Sequence, residues 1–357
     1  MAYTTITDPS AQFQIALYSG DGGGSNAITN DGNSNLQPDF VWVKERSSNS
    51  SHALANSTAG AGYILSSNNS NLQSSASAFS SFNSDGFTVG SDGKTNEVNQ
   101  TYVGWQWKAN GGTTVSNTDG TITSTVQANT TAGFSVITYT GTGSNGTIGH
   151  GLNSAPEYWV VKPLTNVSDN QWFVCHKGIN DGASNYADYF IHWDTDGAKQ
   201  DNALMWNDTV PTNSVISLGS KPGTNNNGGS FVCFAWHSVE GYSKFGSYTG
   251  NGSADGAFVY TGFKPAYIMV KRTDSTGAWN IQDLKRSPFN VQDNFIQAND
   301  EDPEAVFGSG GLWDSLSNGF KLRQNLTTTN ALNGKFMYMA FAQNPFVATN
   351  GVPTTAM

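Results

Sequence analysis

The chain has 357 residues, a formal net charge of -10, and only 12% charged residues, about half the usual ~25%. With 12% aromatic residues and ten Trp it is no solvated coil, and Gly, Ser, Thr and Asn take the place of the missing charges. The acidic balance and the lack of any Lys/Arg cluster exclude phosphate-driven nucleic-acid binding and an electrostatic membrane anchor.

Residues 1–12 read as an entry strand or a docking arm, by analogy with the Thr-rich segment 121–126. Then comes the first of three copies of one pattern. Phe13, Ile15 and Leu17 alternate inward and lead to the turn Tyr18-Ser19-Gly20. After a Gly/Asn-rich loop, Pro38 opens the apolar run Phe40-Val41-Trp42-Val43, which ends at Lys44. A continuous apolar run predicts a strand covered on both faces, and Pro suits its first position. Residues 47–81 read as a long loop with one short strand at Tyr63-Ile64-Leu65, and Ser84-Asp85-Gly86-Phe87-Thr88-Val89 as a turn and strand. The copy closes on Tyr102-Val103-Gly104-Trp105-Gln106-Trp107.

Asp119-Gly120 between Thr/Ser-rich flanks predicts a hairpin. The second copy has Tyr139-Thr140-Gly141, then Pro156 to Lys162, then Phe231-Val232-Cys233-Phe234-Ala235-Trp236. The third has Tyr248-Thr249-Gly250, Pro265 to Lys271, and Phe336-Met337-Tyr338-Met339-Ala340-Phe341. Tyr to Lys spans 26, 23 and 23 residues, and Tyr to the closing strand 84, 92 and 88. A period of more than 100 residues is too long for a solenoid, so the copies are domain-sized. The expectation is an all-β chain of three tandem β-sandwich, jelly-roll-like domains with long Gly/Ser/Asn-rich loops: 1–110, 111–242, and 243–357 with a polar C-terminal tail. The join at 238–242 is tight, so domains two and three should touch. Residues 283–306 alone carry enough charge for a short helix.

Chemistry-bearing residues are sparse. His52, His150, His176, His192 and His237 show no metal-ligand spacing, and read as unrelated surface or turn histidines. Cys175 and Cys233 read as buried, reduced thiols, with their proximity left open. Eight of the 27 acidic residues are Asp in Asp-Gly turns, where turn chemistry explains them. Asp194, Asp196 and Asp201 have a partial look of a calcium loop but lack its remaining ligands and flanking helices. Gly308-Ser309-Gly310-Gly311 is no nucleophile elbow, and the Gly-x-Gly turns at 141–143 and 250–252 lack a nucleotide-binding context. Trp42, Trp105, Trp107, Trp159 and Trp236 lie in the repeated strands as core, whereas Trp193, Trp206, Trp279 and Trp313 lie outside them and could face a ligand. No catalytic, metal or cofactor residue is assigned, and no enzyme activity is expected.

Together, Tyr-Thr-Gly-x-Gly, the Pro-to-Lys strand, Ser-Asp-Gly-Phe-Thr-Val-Gly at 84–90 and Tyr-Val-Gly-Trp-Gln-Trp-Lys at 102–108 resemble a domain of virion structural proteins of marine tailed bacteriophages, including those of cyanobacteria. The opening 1–6 and the segment 130–141 are similar to that family too. Residues 1–7 lack a charged and an apolar segment, so no secretory signal peptide is expected; the resemblance implies a virion component, assembled in the host cytoplasm, and supplies no catalytic residues. The expected role is a tail fibre, spike or appendage component in contact with the host surface. A capsid decoration protein and a carbohydrate-binding, lectin-like module are the alternatives, the last requiring solvent-facing Trp. Expected partners are other virion proteins, further copies of the chain, and a host-surface glycan or protein, with no nucleic acid and no membrane insertion. Function is expected in the loops that differ between copies, 47–81, 164–210 and 273–313.

Overall fold

A computed structural model describes residues 4–308 and 310–345. The polar tail after Pro345 lies outside the described residues, as does Ser309. The chain is all-β and sandwich-like; helices among the described residues are one-turn pieces.

Each repeat builds a larger sheet on the same four strands in the same order. In repeat one these are an opening strand Phe13–Ser19, a closing strand Thr101–Trp107, a lysine strand Phe40–Glu45 and a fourth strand Ala53–Asn56. Repeat two uses Phe134–Thr140, Ser230–Trp236, Tyr158–Pro163 and Phe173–His176. Repeat three uses Ser243–Thr249, Lys335–Pro345, Phe263–Arg272 and Asn280–Asp283. All neighbours are antiparallel, and the closing strand sits centrally, with Trp107 paired to both Phe13 and Phe40. A smaller sheet packs on one face of each: Asn26–Ile28 with Phe87–Val89 and Phe79–Phe82, then Gly146–Gly149 with Val215–Leu218, then Phe258–Tyr260 with Gly319–Leu322 and Trp313–Leu316.

The period-two rule explains why the lysine strands carry no polar face. In repeat one, Val41 and Val43 point into a core shared with the smaller sheet, and Phe40 and Trp42 point the other way. The same split holds for Trp159 and Val161 against Tyr158 and Val160, and for Ile268 and Val270 against Tyr267 and Met269. Each repeat therefore has a private core, and the opposite faces of all three larger sheets meet in one common core. There Phe40 of repeat one stacks on Phe234 of repeat two at 4.4 Å between ring centroids, Phe13 stacks on Phe341 of repeat three at 5.0 Å, and Tyr158 of repeat two stacks on Phe245 of repeat three at 5.8 Å. Aromatic pairs at such spacings add about 0.5–1.5 kcal/mol each beyond area burial.

The Asp-Gly hairpin before repeat two is present, as Val115–Asn117 paired to Ser124–Asn129, which itself pairs to the opening strand. Three expectations fail. Residues 47–81 are not a loop with one short strand: they hold the fourth strand Ala53–Asn56, the pair Tyr63–Ile64 and Ser74–Ser75, and Phe79–Phe82 of the smaller sheet. Residues 283–306 form no helix; they contain the strands Asn294–Gln297 and Ala305–Val306, which extend the larger sheet. The charges there serve a buried ion network between repeats rather than a helix surface. Among the described residues before 13 there is no entry strand but a single 3-10 turn, Pro9–Ala11, capped by the Asp8 carboxylate, which accepts from the Ser10 N–H.

Candidate functional site

The residues that promised chemistry converge on the seams between repeats. Lys44, Lys162 and Lys271 end the three lysine strands and are fully buried. Each ammonium reaches into the neighbouring repeat. Lys44 Nζ donates to the carbonyls of Glu45 (2.8 Å) and Glu301 of repeat three (3.1 Å). Lys162 Nζ donates to the Ser70 carbonyl of repeat one at 3.0 Å and to the Asn170 carbonyl. Lys271 Nζ donates to Asp196 and Gly197 of repeat two (3.2 and 2.7 Å) and to Arg272 (2.8 Å). Burial lowers their pKa values from the ordinary 10.5 to about 8, about 8 and about 7. The direction of reach is cyclic: one to three, three to two, two to one.

A second ring follows the same cycle. The residue before each fourth strand is His52, Trp172 or Trp279. Trp172 Nε1 donates to the Ser66 carbonyl of repeat one (2.8 Å), and Trp279 Nε1 to the His192 carbonyl of repeat two (3.0 Å). His52 Nδ1 accepts from Trp42 Nε1 (2.8 Å), which fixes the proton on Nε2, and Nε2 donates to the Gln297 carbonyl of repeat three (3.1 Å). Strand register places Ser66, His192 and Gln297 at equivalent positions, opposite Ala53, Phe173 and Asn280. Two residues further on, Asn68, Asp194 and Asn299 each accept from the backbone N–H of His52, Trp172 and Trp279, at 3.1, 3.2 and 2.8 Å.

That equivalence settles Asp194. Its carboxylate holds the same bond as two amides that carry no charge, and burial raises its pKa. Asp196 contributes its backbone carbonyl to Lys271, and Asp201 pairs in a two-residue edge strand with Tyr189. Among the described residues, no three His, Cys, Asp or Glu side chains are placed to hold a metal.

The histidines are not surface residues; all five are buried. His176 Nδ1 accepts from the Gly178 N–H (2.7 Å), so Nε2 donates to the Tyr338 carbonyl of repeat three (2.9 Å). His150 bridges the Leu152 N–H and the Thr212 carbonyl. Burial pulls His52 down to about 3, and His150 and His176 to about 4. Trp193, Trp206, Trp279 and Trp313 are buried like the other six Trp, so none faces a ligand. Trp193 stands against Trp42, Trp172 and Trp279 at 4.7, 5.3 and 6.5 Å between centroids, inside the common core. Cys175 and Cys233 are free and buried, on the two strands that flank the Tyr158–Pro163 strand.

The seam between repeats one and three adds an ion network. Arg286 and Asp283 have fully buried side chains, with Nε to Oδ2 at 2.6 Å. Trp105 of repeat one donates to the same Asp283 oxygen at 3.0 Å, and Glu304 bridges Arg286 (3.0 Å) to Arg46 of repeat one (2.8 Å).

One repeated element escapes the motif reading although the sequence carries it. Thr95-Asn96, Thr224-Asn225 and Thr329-Asn330 each stand with Asn six residues before the first aromatic of the closing strand. The Thr carbonyl accepts the Tyr18, Tyr139 or Tyr248 hydroxyl at 2.9, 2.5 or 2.6 Å. The Asn carboxamide accepts from the N–H of Asp21, Thr142 or Asn251 and so latches the turn after it. The Gly of each Tyr-Ser/Thr-Gly turn is required there: a Cβ at Gly20, Gly141 or Gly250 would lie 2.1, 2.4 or 2.3 Å from a backbone oxygen. The Gly-x-Gly turns are thus packing devices.

An all-β body of three matched repeats closed around a common core is the class these features define. The chain belongs to a family described as a domain of unknown function, DUF7483, whose model matches residues 8–345. No curated protein and no solved structure matches it.

Proposed function

We propose that this protein is a structural component of a tailed-bacteriophage virion, a tail fibre, spike or appendage element that presents loops to the host surface. The observation that carries the reading is the commitment of the buried polar chemistry to the seams: three lysines, three ring N–H donors and an ion network bind repeat to repeat. Such bonds make a rigid body and leave outward loops for recognition. In this reading each repeat is a jelly-roll-like sandwich module, and the chain does not act as an enzyme. The resemblance of the Pro-to-Lys and closing strands to marine phage virion domains supports the same reading. The lectin-like alternative required solvent-facing Trp, and burial of all ten removes that support. Localising the chain in a particle reconstruction tests the proposal. A dozen or so copies on the tail would support it; hundreds on the shell would favour a capsid decoration protein, and absence from the particle would refute both.

A further inference from the structure

Each repeat has an equivalent place beside its ring N–H donor, and the three places differ in how open they are. In repeat three a cleft of about 540 Å³ lies between segment 194–196 of repeat two and segments 276–278, 297–300 and 327–328 of repeat three. That volume falls within the ~300–1,000 Å³ of small-ligand sites. Repeat one has the same place between Ser51, Ser66, Asn69 and Lys94, reduced to about 90 Å³ with Asn71 and Leu72 on its wall. In repeat two, Gly223 stands before the Thr-Asn pair where repeat three has Thr328. The Phe173 ring packs against Gly223 so closely that a Cβ there would lie 2.2 Å from ring atoms. Lys221 pairs with Asp169 beside it at 3.6 Å.

The open place keeps polar groups that the fold does not use. No hydrogen bond among the described residues engages the Gln297 carboxamide, Asn299 Nδ2, or the hydroxyls of Thr276, Thr327 and Thr328. Asp194 Oδ1 accepts from the Trp172 N–H, and Oδ2 accepts from no other described residue. Burial raises the Asp194 pKa, so this carboxylate stands partly out of water. Asn68 and Asn299 hold the equivalent bond without charge, so the fold itself does not require a carboxylate here.

The chemistry of the lining selects the ligand. It consists of carboxylates, carboxamides and hydroxyls, with no aromatic ring, no large apolar side chain and no Lys or Arg. A carboxylate accepts from two hydroxyls at once, while carboxamide N–H and Thr hydroxyl groups donate back to ligand oxygens. Asp194, Asp196 and Asp300 together repel an anion. A cation is not called for either, because the seam lysines already answer that charge: Asp194 acts on Lys162, Asp196 on Lys271 and Asp300 on Lys44, each raising the lysine pKa against the effect of burial. A polyhydroxylated, uncharged molecule matches all of these features.

We infer that the cleft between repeats two and three binds a neutral saccharide through hydrogen bonds to its vicinal hydroxyls. Such a site needs no exposed Trp. The inference rests, for its partner, on the reading that loops 164–210 and 273–313 meet the host surface, and it names the class of group they recognise there.

A glycan array probed with the labelled full chain, followed by saturation-transfer NMR with methyl glycosides at millimolar concentration, tests this. Neutral glycans should be retained, and sulfated or uronate-bearing ones should not. Gln297→Ala removes a donor that the fold does not use, and Thr328→Lys gives repeat three the residue found at the narrowed place in repeat one. Each should weaken binding about tenfold or more with unchanged thermal unfolding. Asp194→Asn keeps the acceptor for Trp172, as Asn68 and Asn299 do for their partners, and should also weaken binding about tenfold. A chain that retains no neutral glycan overturns the inference, as does binding indifferent to all three substitutions, or a cleft that takes up spermidine or calcium in place of a saccharide. The virion reading is decided separately, by where the chain sits in the particle, so the two fail independently.

Discussion

Two surfaces of each repeat differ in how far they depart from one another. The inner face of the larger sheet is nearly the same three times: an aromatic at Phe40, Tyr158 and Tyr267, a lysine at 44, 162 and 271, and a ring N–H donor at 52, 172 and 279. The outer face of the smaller sheet is different each time: exposed Ala27 and Thr29, then a half-buried Thr147 and a Gly149 covered by Asn117, then exposed Phe258 and Tyr260. A face that must fit two neighbours in a closed ring has little freedom, because a change in one seam disturbs the packing of the common core. An outer face lies outside the common core, so its residues can differ between repeats without disturbing a seam.

Breaking the inner face should have the largest effect. Phe40 touches Phe134, Phe234 and Trp236 across the first seam as well as Trp107 in its own repeat. Phe40→Ala should cost about 3–5 kcal/mol in denaturant unfolding. Asp283→Ala should cost a comparable ~3–5 kcal/mol, because it leaves the buried Arg286 guanidinium with Glu304 as its one carboxylate and Trp105 Nε1 without its acceptor. Replacing both residues by apolar ones of similar volume should recover much of that loss. Lys162→Met leaves the Ser70 and Asn170 carbonyls without this donor and should cost about 1–3 kcal/mol. Outer substitutions such as Phe289→Ser should stay within about 0.5 kcal/mol.

The seams also set the dependence on pH. His52, His150 and His176 titrate at about 3, 4 and 4 in the fold against an ordinary 6.5. The unfolded chain therefore binds more protons between those values, and stability should fall as pH drops from about 6.5 to 4. The lysines titrate at about 7 to 8 against 10.5, so the cost of burying their charge is largest below pH 7. That cost should lessen as pH rises toward 10. Chemical denaturation at a series of pH values checks both slopes, and Lys271→Met should flatten the alkaline one.

Much of the inner face was legible. Continuous apolar runs on the lysine strands foretold burial on both sides, and Asp119-Gly120 foretold its hairpin. What those runs could not say was what covered the second face, because a partner sheet of the same repeat and one of another repeat impose the same hydrophobic pattern. Lysine ended each run without announcing its burial, which depends on carbonyls from segments 47–81, 164–210 and 273–313, remote in sequence. Those loops, read as carriers of recognition because they vary, are also the other half of each seam. Thr-Asn was readable from spacing alone but lay in short segments without hydrophobic periodicity.

The central claim is that three repeats fold as one body around one core. Differential scanning calorimetry of the intact chain tests it most directly. One transition is predicted, with calorimetric and van't Hoff enthalpies equal, and Phe40→Ala should shift that whole transition. Three separable transitions, with Phe40→Ala moving only the one that belongs to repeat one, would contradict the account.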